Sequence, residues 1–165
     1  MTAAISLEEL LGWNCEAANA WKSYLNANPA VLQLPCDIGG NSNVQGLVRH
    51  IWGAELIWSQ RIAGLPQRDS TSWPTGPFEA LFDLHLEAER NFRALLDDPG
   101  TEWDGALAYR HPAIPATAHN PSRRKVMAHA LVHSQRHWAQ LTTLVRVAGV
   151  PIDFMGDLLL SSALA

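Results

Sequence analysis

The stretch PSRRKVMAHALVHSQRHWAQLTTLVRVAGVP, residues 121–151, decides how this chain is read. A helix is expected from about Pro121-Ser122 to Val147, with Gly149 and Pro151 past its end as stop signals. Val126, His129, His133, His137, Leu141, Leu144 and Ala148 recur three or four residues apart and make its expected inward stripe. Three of those positions are histidines at one spacing of four. Residues four apart share a helix face with Cβ atoms about 5–6 Å apart, so two imidazoles so placed can grip one metal ion. His129 and His137 are about 12 Å apart along the axis at ~1.5 Å per residue, too far to share an ion. One ion would take an adjacent pair that includes His133 and would need a third ligand from elsewhere.

Outward from that helix the chain reads as more of the same class. Ser6 and Glu9 fit a capping box with Ile5 ahead of it. Leu7, Leu10, Leu11, Ala17, Ala18, Trp21 and Leu25 then support a first helix ending near Asn28, before Pro29. PCDIGGNSN, residues 35–43, is loop by composition. A second helix is expected over 43–63, with Leu47, Ile51, Ala54, Trp58 and Ile62 on one side and Gly64 and Pro66 as stops. QRDSTSWPTGP is a further loop, and Pro77 opens a third helix over roughly 78–96. Residues 101–120 read as a long crossover with a weak hairpin around Leu107 and Tyr109. A short C-terminal helix is expected from about Asp153. Four long helices with little strand signal point to an all-α four-helix bundle, and residues 1–165 show no linker or repeat that would divide them.

Composition narrows the function classes. At 165 residues the chain is long enough for a sizeable core, and 47% apolar with 17% charged residues is ordinary for a globular protein. A formal charge of −4 argues against nucleic-acid binding, and Arg123-Arg124-Lys125 reads as a solvated helix start. No apolar run approaches the ~20 residues that span a membrane, and the N-terminus has no signal-peptide pattern, so a cytoplasmic location is expected. Cys15 and Cys36 have no CxxC spacing and read as buried, reduced thiols. The seven tryptophans are many for this length; Trp52 and Trp58 are expected in the core.

The second helix offers the missing ligand. His50 neighbours Leu47, Ala54 and Ile57 and could face the bundle centre. One histidine from there plus a pair from the last helix makes a three-histidine face with an open coordination position, the pattern of catalytic rather than structural metal sites. Glu55 lies about 140° around the helix from His50 at ~100° per residue, so it is expected to be solvated or paired instead. His85 reads as a surface or core residue. His111 and His119 have no partner spacing.

LVRHIWGAELIWSQRIAGLP (47–66) and AHALVHSQRHWAQLTTLVRVAGVPIDFMGDLL (128–159) resemble the second-helix and last-helix signatures of the DinB/YfiT-like superfamily. The resemblance implies a four-helix bundle whose metal ligands correspond to His50, His133 and His137, and so favours the pair 133/137 over 129/133. His129 then becomes a neighbour of the site or a packed helix residue. A divalent ion is implied, zinc or nickel first by imidazole preference, with iron or manganese as alternatives. The family also implies a homodimer and a thiol-dependent transfer, in which a low-molecular-weight thiol attacks a small electrophilic substrate; hydrolysis by activated water is the related chemistry. A non-catalytic, stress-associated metal binder is the alternative. Trp138-Ala139 stand where the family commonly has Arg-Gly, and a tryptophan there is expected to narrow the pocket; Gln140 fits the pattern. Some thiol-transferring relatives carry a carboxylate at the position of His133.

Overall fold

The computed structural model describes residues 4–108 and 120–164. Four helices carry the fold: α1 (Leu7–Ala27), α2 (Val44–Ile62), α3 (Phe78–Asp97) and α4 (Arg123–Val147). Helix α1 starts where the sequence places a cap. The Ser6 side chain accepts from Glu9 N, and the Glu9 carboxylate accepts from Ser6 N, so two otherwise orphaned donors are satisfied. Helix α2 is buried almost all round, from Val44 through Leu47, Ile51, Trp52 and Leu56 to Ile62, because α3 packs on one side, α4 on another, and the chain between α1 and α2 covers its start. It is the central helix, and anything it carries toward α4 lies close to the core. Among the described residues no helix is long and apolar enough to cross a membrane.

Two expectations change. The segment read as loop at 35–43 forms a small antiparallel hairpin, β1 (Pro35–Ile38) and β2 (Asn41–Asn43). Its turn is Gly39-Gly40, both with positive φ (61° and 78°), which a two-residue hairpin turn requires and glycine accepts without strain. Asn43 then ends the hairpin and caps α2, accepting from Gly46 N. The C-terminal helix is replaced by a single 3-10 turn, Leu158–Leu160, after an extended run. That run is held by α1: Tyr24 Oη donates to Pro151 O, Trp13 Nε1 donates to Gly156 O, and Phe154 packs edge-on against Trp21. These contacts hold the segment along α1. Finally, Ala106 bridges Ser122 in antiparallel fashion, with Leu107 N donating to Pro121 O; of the expected hairpin, Tyr109 lies outside the described residues, as do His111 and His119.

The inward stripe of α4 is also rotated from the one expected. Its buried line runs through Val126, Met127, Ala130, Leu131, Ser134, His137, Trp138, Leu141 and Val145, while Ala148 and His129 are exposed. The imidazoles of α4 therefore run from the core to its margin. His137 is buried, and His133 and His50 are half-buried.

Candidate metal centre

His50 projects from the middle of α2 toward α4, and His133 and His137 meet it from successive turns of α4. The ring centroids of His50 lie 5.3 Å from His133 and 5.1 Å from His137, and those of His133 and His137 are 4.5 Å apart. One ring nitrogen from each lies within 4.8 Å of the other two, so the three could hold a metal ion. His133 Nε2 and His137 Nε2 are 3.2 Å apart. An ion bonded tetrahedrally at ~2.05 Å sets its ligand nitrogens about 3.3 Å apart, so this pair already has the spacing of two ligands of one ion.

The surroundings set the protonation of the rings. His137 Nδ1 is 2.7 Å from Gln140 Oε1, an oxygen that only accepts, so Nδ1 carries the proton and Nε2 turns its lone pair to the group. Histidine ligands are commonly fixed by such a hydrogen bond from the far nitrogen. Burial, then the neighbouring His137, His50 and Arg136, push His133 down from 6.5 to about 3. Burial lowers His50 as well, with His137 and Arg136 adding to it. Burial also lowers His137, against the Gln140 hydrogen bond that raises it. All three are neutral at neutral pH, the form that ligates metal. His133 Nδ1 is buried without a hydrogen-bond partner, and Arg136 Nη2 donates to His137 Nε2 at 3.3 Å. The set fits a divalent cation: without one, two imidazole nitrogens share a proton and an arginine occupies a lone pair that a metal would take. Arg136 is exposed, so it can turn into solvent.

Among the described residues no fourth protein ligand joins this group. The β1–β2 turn lies beside the group: a Cβ on Gly39 would stand 3.9 Å from His137 Cε1. The hairpin is a wall of the site that composition had assigned to loop. A Gly-Gly pair between Ile38 and Asn41 is the signal that marks it.

Other histidines are placed differently. The His129 ring is 5.9 Å from that of His133 and 5.6 Å from Trp58, outside the three-nitrogen group. His85 is a core residue, 1% exposed, whose Nδ1 is 2.7 Å from Glu55 Oε2. Glu55 is likewise 1% exposed and accepts from Asn14 Nδ2 at 2.8 Å. It is paired, not solvated, and takes no place among the three nitrogens. Trp138 does not narrow the site. One residue beyond His137 is about 100° around the helix, and its ring stacks on Trp21 at 5.4 Å in the core. Trp52 is fully buried as expected, whereas Trp58 is only partly so. Cys15 and Cys36 are both buried and free.

Fold and site together define a helical-bundle protein with three converging imidazoles and an open face. The DinB family model matches residues 2–158, and the chain belongs to the DinB family. No curated protein matches the chain.

Proposed function

We propose that this protein binds one divalent metal ion on His50, His133 and His137 and uses the open face for a thiol-dependent transfer. The observation that carries the reading is the convergence of three neutral imidazoles from two helices, without a fourth protein ligand among the described residues. Closed structural sites use four protein ligands, and three leave room for a small molecule. Zinc and nickel are the first candidates by imidazole preference. When bound, such an ion lowers the pKa of a coordinated thiol or water toward neutrality, making it a nucleophile at neutral pH. The chain's own contribution is to hold the ligands. Gln140 fixes the His137 tautomer, burial keeps His133 uncharged, and the Gly39-Gly40 turn bounds the face on which an electrophile would approach. The protein would work in the cytoplasm, as a homodimer.

The test is metal content and turnover on tag-free protein. One equivalent of a divalent metal is expected, with loss of most of it on His50→Ala, His133→Ala or His137→Ala. Consumption of a low-molecular-weight thiol with a panel of small electrophiles should depend on that metal. Full metal content without turnover would leave a non-catalytic binder, and full metal content in all three variants would overturn the site. Analytical ultracentrifugation tests the dimer.

A further inference from the structure

A second group of potential ligands lies between α1 and α3. Cys15 on α1 and His85 and Glu89, one turn apart on α3, bring a sulfur, a ring nitrogen and a carboxylate oxygen within 4.8 Å of one another. Cys15 and His85 are 8% and 1% exposed, and Glu89 is half-buried at the edge. The decisive atom is on His85. Its Nδ1 is taken by Glu55 at 2.7 Å, and Glu55 is anchored in turn by Asn14 Nδ2 at 2.8 Å, which itself receives from Gln135 through Oδ1. Carboxylate, histidine and an open nitrogen are the arrangement that orients an imidazole for a metal, with the carboxylate holding the ring from behind. The remaining nitrogen, Nε2, is buried with no hydrogen-bond partner. A buried polar atom left unpaired costs roughly 1–3 kcal/mol, so its persistence in a packed core calls for a partner.

We propose that Cys15, His85 and Glu89 form a second cation site, for a borderline-soft divalent ion such as Zn²⁺ or Co²⁺, independent of the three-histidine group. Thiolate, neutral imidazole and carboxylate are all ligand types that zinc accepts. The charges balance. The Cys15 S–H bond breaks heterolytically, its proton passes to solvent, and a sulfur–metal bond forms. Two negative ligands then face a doubly positive ion, with no change of oxidation state. The Glu89 carboxylate, which accepts from Arg93 Nε at 2.9 Å, is the ligand nearest solvent and the point of entry.

A nucleophilic Cys–His pair is the competing use of these residues, and the environment disfavours it. Burial, with Glu89 beside it, pushes the Cys15 thiol up to about 12, whereas reactive cysteines have lowered values and solvent access. A small cation needs neither a standing thiolate nor room for an organic substrate.

The experiment is a Co²⁺ titration of full-length, tag-free, metal-free protein followed by absorbance. Two equivalents are expected. One of them should bring thiolate-to-cobalt charge-transfer absorption in the near ultraviolet, which three nitrogen donors cannot produce. The His133→Ala/His137→Ala double variant should keep that band and one equivalent, so failure of the histidine site and failure of this one are distinguishable. Cys15→Ser should lose the band and the second equivalent, and Cys36→Ser should keep both. Should Cys15→Ser not fold, Glu89→Gln, at a partly exposed position, reports instead: a weakening of the band-forming event by about tenfold or more is expected. A titration that stops at one equivalent without the band, a band that survives Cys15→Ser, or unchanged affinity in Glu89→Gln would each overturn the proposal.

Discussion

Replacing Gln140 by leucine isolates what a single neighbour of the proposed metal ligands does. Gln140 is exposed at the solvent end of the site, and its one described hydrogen bond to the ring is the 2.7 Å contact with His137 Nδ1. The fold therefore loses little, and the effect falls on the tautomer and orientation of His137. A neutral hydrogen bond contributes about 0.5–1.5 kcal/mol net, and removing the partner of a ligating histidine costs about 10–100-fold in metal affinity. Those ranges meet near 1.4 kcal/mol, or about tenfold. Gln140→Leu should therefore weaken metal binding about tenfold with the melting temperature of the metal-free protein almost unchanged. Gln140→Glu keeps an acceptor and adds charge, which strengthens the bond to Nδ1–H, and should match or exceed the native affinity. The assay is competition against a chromophoric chelator at fixed pH. If Gln140→Leu binds within about twofold of the native protein while His137→Ala does not bind, the orienting role assigned to Gln140 is refuted and the ligand assignment is not.

Three other outcomes follow from the packing and protonation. A Cβ on Gly53 would fall 2.0 Å from Trp73 Cζ3, inside the van der Waals radius, so Gly53→Ala should destabilise by about 1–3 kcal/mol despite the helix propensity of alanine. Thermal melting should show this as a drop of several degrees. Glu55→Ala leaves the buried Asn14 amide and His85 ring without their shared acceptor and should cost about 3–5 kcal/mol in urea unfolding; a loss below about 1 kcal/mol would contradict a buried pair. In metal-free protein, His50, His133 and His137 all bind protons less readily folded than unfolded. Stability should therefore be full above pH 6.5 and fall as the pH drops from there toward about 3, where His133 itself titrates. Discounted for the partial exposure of the rings, the loss should be on the order of 1–2 kcal/mol, read from urea midpoints across that window. A midpoint independent of pH there would refute it.

How much of this was legible in the chain differs by element. The helices were, because each has its own local signals. Ser6 and Glu9 start α1, Gly64 stops α2, and Gly149 follows α4 with φ of 77°. The rotation of α4 was not legible, since histidine passes as either an apolar or a polar position in a periodic pattern. Its face was settled by Trp138, which stacks on Trp21, meets Trp52 edge-on, and leaves His133 and His129 toward the margin. The Cys15, His85 and Glu89 group joins Cys15 to a pair 70 and 74 positions further on, and the spacing of four between His85 and Glu89 says nothing of a cysteine on another helix.

By itself the sequence determined the class of fold, the boundaries of the four helices, and the ladder of three imidazoles on α4, because caps, stops and a repeat of four are local properties of the backbone. It offered two equivalent pairs around His133 and only a candidate third ligand. Tertiary structure brought His50 to His133 and His137, left His129 outside, and buried Glu55 against His85. It also made a wall of the Gly39-Gly40 turn. These outcomes depend on how α2 and α4 face each other across the core. That relation is set by the fit of side chains such as Trp52 and Trp138, which no stretch of single chain encodes.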